Sequence, residues 1–226
     1  VNIPILYEDN HLLIVEKPIN VPVQEDRSKD PDLLSILKQD IKIRYNKPGN
    51  VYLSLVHRLD RPVGGAIVFA KTSKAASRMA NLLRKREIER KYRAVVRGTV
   101  RSKKGTLVHY LHKDRRKNEV SVVDKHKNNA KKAILHYRTM EHRNDLTLVE
   151  VTLETGRSHQ IRVQMKAMGH PLFGDQKYGQ HVNEAHQQIA LWAYELSFIH
   201  PVKKEKITIH SRPPKITPWD RWKTHF

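Results

Sequence analysis

The sequence predicts an α+β protein built on a mixed, largely antiparallel sheet. Three observations carry this. Short stretches of period-two alternation recur along most of the chain, only three segments place apolar residues at helical spacing, and several successive strands are separated by turn residues alone. With 226 residues, 38% of them hydrophobic, the chain can bury a substantial core. It has no internal repeat and no clean linker, so a single domain over residues 1–226 is expected.

Taken in order, Ile5 and Leu6 precede the turn Glu8-Asp9-Asn10 and Leu12 to Val15 follow it, an entry hairpin closed by Lys17-Pro18. Asp30-Pro31 has the form of an N-cap followed by proline at the first helical position. Leu33, Leu34, Leu37 and Ile41 then recur at helical spacing, giving a helix over about 31–43. Leu53 to Val56 ends a buried strand, Arg61 to Gly65 turns the chain, and Ala66 to Ala70 is a second apolar strand. Thr72 or Ser73 can cap a helix with Ala76, Met79, Leu82 and Leu83 on one side and lysines and arginines over much of the rest. Arg90 to Gly98 alternates, sending Tyr92, Ala94 and Val96 to one face.

Residues 99–132 are the most polar part and read as two strands or hairpins with exposed basic loops. Residues 133–137 and 146–153 are neighbouring antiparallel strands turned near Asn144. A helix through Ile161, Met165 and Met168 stops at Gly169, ahead of Pro171. Residues 189–200 form a last long strand, 207–210 pair beside it, and 211–226 are an irregular cover holding Trp219 and Trp222.

Lysine and arginine outnumber aspartate and glutamate by 43 to 23, a formal net charge of +20. Such an excess attracts polyanions, nucleic acid first and an anionic membrane surface second. The chain has no cysteine, which excludes disulfides, zinc-thiolate sites and thiol catalysis. No apolar run has the length of a membrane span, and the first residues lack the form of a signal peptide, so a soluble protein is expected. His109 and His112 have the spacing of a metal pair but no further ligand in a recognisable pattern, and no metal is expected.

Two stretches carry chemistry. Leu53 to Lys71 sets Asp60 among His57, Arg58 and Arg61 where a strand gives way to a loop. Neighbouring cations favour the carboxylate form, which makes Asp60 either a base or nucleophile, or one half of an ion pair that pins the turn. Thr155 to Gly179 gathers Arg157, His159, Gln160 and Arg162 on the first turn of a helix, an arrangement suited to phosphate or carboxylate. Arg162 could equally neutralise a core carboxylate. Asp175, beside Gly174, reads as a turn residue. Tyr92 reads either as a core tyrosine or as an aromatic that stacks on a base.

These stretches resemble the ordered motifs of RluA-type RNA pseudouridine synthases: YEDNHLLIVEKP at 7–18, HRLDRPVGGAIVFAK at 57–71, RKYRAVVRG at 90–98, and GRSHQIR at 156–162 with GHPLFGDQKYG at 169–179. The resemblance spans roughly residues 5–201. It implies the pseudouridine synthase fold, a bent sheet flanked by helices and loops with a central active-site cleft. It further implies that Asp60 is the catalytic residue, that Tyr92 stacks on the target base, that Arg162 pairs with the aspartate, and that Arg58 helps hold the pocket for a flipped-out nucleotide. An apolar wall is expected at Ile161 or Leu191. Val63-Gly64-Gly65 stands where Thr-Ser-Gly is usual, and Asn20 and Gln24 stand where Gly and His are frequent. Asn tolerates the left-handed conformation that glycine would supply, which keeps the turn at residue 20 plausible.

The implied activity is isomerisation of uridines in rRNA or tRNA, in the cytoplasm, with no cofactor and no obligate protein partner. No S4 RNA-binding domain is expected in this sequence, so RNA affinity falls to the basic catalytic domain. The competing class is a non-catalytic RNA-binding protein on the same fold. A metal-dependent nuclease would need several carboxylates around the site, where the sequence offers one.

Overall fold

The structure, a computed structural model, describes residues 2–226. The chain forms two compact units, one running through Glu89 with Ala193–Arg212, the other Arg90–Trp192 with Pro213–Phe226. Eleven strands and three α-helices among the described residues make an α+β protein, as the periodicity predicts.

In the first unit β1 (Ile5–Glu8) and β2 (Leu12–Lys17) form the expected antiparallel hairpin. Asp9 builds its turn by accepting the backbone N–H groups of His11 and Leu12 at 2.7 and 2.8 Å. Such side-chain capture of turn amides is what aspartate supplies between strands. β2 pairs antiparallel with β4 (Gly64–Ala70) from Leu12↔Ala70 to Lys17↔Gly65, and β3 (Ser54–Leu55) pairs with the far end of β4. All seven residues of β4 are buried, which explains its unbroken apolar run. β10 (Leu191–Ile199) and β11 (Lys206–His210) pair antiparallel, with Leu196 opposite Ile209.

The helix α2 (Ser73–Arg84) lays Ala75 and Met79 on Leu12, Ile14, Ala66 and Val68, and Leu196, Phe198 and Ile207 complete this core. Each large aliphatic side chain so buried contributes about 2 kcal/mol. Thr72 caps α2, its hydroxyl accepting from Ala75 N. The helix α1 (Leu33–Arg44) starts two residues later than the sequence suggests: Asp32 is its N-cap, accepting from Ser35 N, while the Asp30 carboxylate is bound by Arg61.

The second unit is an antiparallel sheet in the order β5 (Glu89–Arg97), β9 (Leu146–Leu153), β8 (Lys131–Arg143), β6 (Lys104–Asp114), β7 (Glu119–Val123). The polar stretch after residue 99 therefore supplies two paired strands, β6 and β7, joined by a short basic turn, as expected. The helix α3 (Gln160–Ala167) docks Val163 against Leu111, Val120, Ala133 and Tyr178. It ends at Gly169, whose φ of +90° is the left-handed cap expected there. The last residues hold two short 3₁₀ turns over Trp219–His225, broken by a kink at Trp222, which is fully buried.

Tight turns at Asn20, Asn46, Asn118, Asn129 and Asn144 all use positive φ, between 48° and 63°. Among the described residues no helix is long and apolar enough to cross a membrane.

Candidate active site

Asp60 and Arg58 belong to the first unit, Tyr92 and Arg162 to the second. Asp60 is half-buried at the turn after β3, and its carbonyl accepts Val63 N at 2.9 Å, closing the loop that leads into β4. Arg58 is exposed. The two other cations expected around Asp60 do different work. His57 is buried, and its Nε2 accepts the backbone N–H of Val68 at 3.1 Å. An accepting Nε2 requires the neutral ring with its proton on Nδ1, so His57 continues the edge of β3 with a side chain instead of contributing charge.

Arg61 turns to the preceding loop, where Nη1 donates to Ser28 Oγ at 2.9 Å and lies 3.4 Å from Asp26, Nη2 binds Asp30, and Nε donates to the Asn20 carbonyl at 3.2 Å. The Asn20 φ of 63° is the left-handed conformation expected of an asparagine in glycine's place.

A cation that sequence reasoning missed is Lys17. It is fully buried, and its Nζ donates to the carbonyls of Pro18 and Arg61 at 2.8 and 2.9 Å. Burial drives its pKa down to about 7, against the negative charge of Asp60, which raises it, while Arg61 lowers it further. A buried ammonium on the last residue of β2 therefore ties the Lys17-Pro18 corner to the Asp60 loop. Lys17 is two and four residues from Val15 and Leu13 and shares their buried face, but Leu12 and Ile14 on the other face are equally buried, so the strand period alone does not mark it.

In the second unit Tyr92 lies on β5 opposite Val151 and is 6% exposed. Arg162, on the first turn of α3, is also 6% exposed, and its Nε and Nη2 donate to the two oxygens of Asp175 at 3.0 and 2.9 Å. The bidentate geometry is the strong form of this pair. The turn reading of Asp175 holds in part, since its Oδ1 also accepts the N–H groups of Lys177 and Tyr178, both at 3.0 Å. Sequence reasoning missed its second role as the carboxylate of Arg162. Burial pushes the Asp175 carboxyl up, but Arg162 and the two amides outweigh it and hold the group below the usual carboxylate range.

Tyr178 fastens the same corner. Its hydroxyl accepts Val120 N at 2.9 Å and bonds His159 Nδ1, while Arg162 sits 5.1 Å from its ring centroid. His159 precedes α3 at φ +53° without capping it, because its ring is engaged with Tyr178. Gln160 Oε1 accepts Thr155 Oγ1 and Arg157 N at 2.8 and 2.9 Å, and its Nε2 donates to the Ile134 carbonyl at 3.1 Å. The string GRSHQIR is thus mostly scaffolding, with each polar side chain assigned to a nearby partner. Ile161 and Leu191 are both buried. Among the described residues no group of three or more His, Cys, Asp or Glu side chains could hold a metal ion, and His109 Nδ1 meets Gln164 Nε2 at 3.0 Å.

Comparison with known proteins decides the family. Residues 11–167, which include Arg58, Asp60, Tyr92 and Arg162, match the family model described as RNA pseudouridylate synthase. The chain belongs to this family. RNA pseudouridylate synthases are isomerases that act on RNA, so the RluA-type resemblance holds. The chain is 36% identical to the Bacillus subtilis RNA pseudouridine synthase YhcT over 213 residues, covering 93% of this chain and 68% of that one. It is 31% identical to ribosomal large subunit pseudouridine synthase D of Zymomonas mobilis over 221 residues, 93% of this chain and 69% of the relative. Among solved structures, human RNA pseudouridylate synthase domain containing 4 superposes with a TM-score of 0.77 at 22% identity, covering 94% of this chain and 89% of that one. That likeness establishes the shared fold.

Proposed function

We propose that this chain converts uridine to pseudouridine in ribosomal RNA, with Asp60 as the catalytic group. Support for the aspartate comes from its position within the family match, on the loop between β3 and β4 that the buried Lys17 anchors. Support for ribosomal RNA comes from the name of the Zymomonas mobilis relative, a large-subunit enzyme. Transfer RNA is the other substrate class carried from the sequence. The two units form one catalytic domain in this reading, and the enzyme works in the cytoplasm.

The reaction breaks the N1–C1′ bond of the target uridine, turns the uracil, and joins C5 to C1′; the C5 proton leaves to solvent and N1 gains one. Asp60 acts as nucleophile at C1′ or as base toward C2′. No electrons are exchanged, so no redox cofactor is required. The target base leaves its stack and rests on Tyr92, with Arg58 holding the flipped nucleotide and Arg162 positioning the aspartate. Displacing the aspartate by about an ångström would cost on the order of a hundredfold in rate.

The experiment is tritium release from C5-tritiated uridine in unmodified total RNA, with chelator present, for the wild type and Asp60→Asn. Release by the wild type alone supports the assignment, with RNA affinity of the variant within a few fold. Tyr92→Ala should weaken both release and binding. Tight, salt-sensitive binding without release would instead favour the non-catalytic RNA-binding protein.

A further inference from the structure

The second unit holds a cavity of about 520 Å³ that the catalytic assignment does not use. Its walls come from four segments: β6 with its following turn, β7, the start of β8, and the loop before α3. Leu111 and Val120 form an apolar floor, 3% and 4% exposed. Lys113, Arg115, Lys131 and Arg157 surround it, and no carboxylate side chain lines the cavity.

These cations are not a random fringe. Lys113 Nζ donates to Ser158 Oγ at 3.0 Å and Arg157 Nε to the Lys132 carbonyl at 3.0 Å, so two of the four are held in place by the wall itself. Among the described residues none of the four lies within ion-pair distance of an acidic group, although Glu154 and Asp114 are close in sequence. Asp114 is occupied by the amides of Arg116 and Lys117, and Glu154 by His136. Four like charges brought to one concavity from three segments repel one another unless an anion enters.

We propose that this cavity is a phosphate-binding subsite for the backbone of the bound RNA, at nucleotides other than the target. The proposal rests on the reading that the chain acts on RNA and adds where a remote part of the strand is gripped. Lys113 and Arg157 supply positioned donors, Arg115 and Lys131 supply mobile charge at the rim, and the apolar floor accepts the sugar edge. Anchoring the strand away from the reacting base converts remote binding into correct placement of the uridine.

The test uses the full chain and the double variant Arg115→Gln/Lys131→Gln, with Lys42→Gln/Lys47→Gln as a control of equal charge loss on exposed positions. Among the described residues neither pair makes a hydrogen bond through its side chains, so both variants should fold. For the pocket variant, the slope of log affinity against log salt should shrink by about 1.4, two phosphate contacts at about 0.7 each for single strands. KM for tritium release should rise about tenfold with kcat within about twofold, and the control should shift the slope less than half as much. RNA should also protect Lys131 from acylation where inorganic phosphate at equal phosphate concentration does not.

Equal slopes for both double variants would overturn the subsite, leaving only diffuse charge. Protection by inorganic phosphate alone would also overturn it, assigning the cavity to a free anion. Absence of tritium release by the wild type together with the slope change would sink the isomerase reading and leave the subsite standing. Release without any slope change would do the reverse.

Discussion

Replacing Lys17 by methionine should change how stability depends on pH. The wild-type ammonium is fully buried and titrates near pH 7, whereas in the unfolded chain it regains the ordinary value of 10.5. Between these values the unfolded state binds more protons than the folded one, so stability rises with pH through the window and is lowest below pH 7. The full penalty on the charged form is about 5 kcal/mol, of which roughly 2 kcal/mol is relieved between about pH 7 and pH 9.

Lys17→Met also strips the donors from the Pro18 and Arg61 carbonyls, costing about 1–3 kcal/mol for each carbonyl left unsatisfied, but that loss is independent of pH. Urea unfolding at a series of pH values separates the two. The wild-type midpoint should move up by about 1 M across the window, relative to the variant, for an m-value near 2 kcal/mol/M. Parallel curves for wild type and variant would refute the assignment of a buried, titrating Lys17. Tritium release should fall in the variant more than RNA binding does, because the clamp acts on the loop carrying Asp60.

Three further outcomes follow from named contacts. Gly65→Ala should destabilise by about 3 kcal/mol in thermal or urea unfolding, because Gly65 has a φ of +118° and an added Cβ would overlap the Ala193 backbone. Asp175→Asn should cost about 3 kcal/mol near neutral pH, since it removes the charge of the carboxylate that the buried Arg162 binds through Nε and Nη2. The Asp175 carboxyl titrates below its ordinary value, so its contribution is present above the unfolded pKa and lost as pH falls through the folded one; the gap between wild type and variant should close in acid. Tyr178→Phe should cost about 1–2 kcal/mol and speed hydrogen exchange at the Val120 amide, which loses its acceptor.

The fold was legible where one periodicity dominated. The LLIV and AIVFA runs are strands buried on both faces, and Ala76, Met79, Leu82 and Leu83 marked a helix with its Thr72 cap. The start of α1 was less legible: Asp30 ahead of Pro31 has the form of a cap, yet Asp32 is the one that caps the helix. Arg61, distant in sequence, takes one of them and leaves the helix to the other. The site was legible as motifs but not as partnerships. Sequence counts His57 as a cation, yet its ring accepts a backbone amide and is neutral. It also counts Lys17 as a strand-end lysine and Asp175 as a turn former, because nothing local announces that each will be sealed inside the protein with a specific long-range partner.

The left-handed asparagines bear on what the protein gives up when it folds. Only nine glycines occur in 226 residues, while five asparagines take positive φ at turns. A glycine at each position would adopt the same bend without strain, but it would also wander more widely once the chain is released. An asparagine narrows that wandering, an effect set by the ensemble the chain leaves behind, but it also meets the steric cost of a Cβ at positive φ. Part of the balance at these turns therefore resides in no contact of the folded state: exchanging these asparagines for glycine sets more freedom in the released chain against relief of left-handed strain in the folded one.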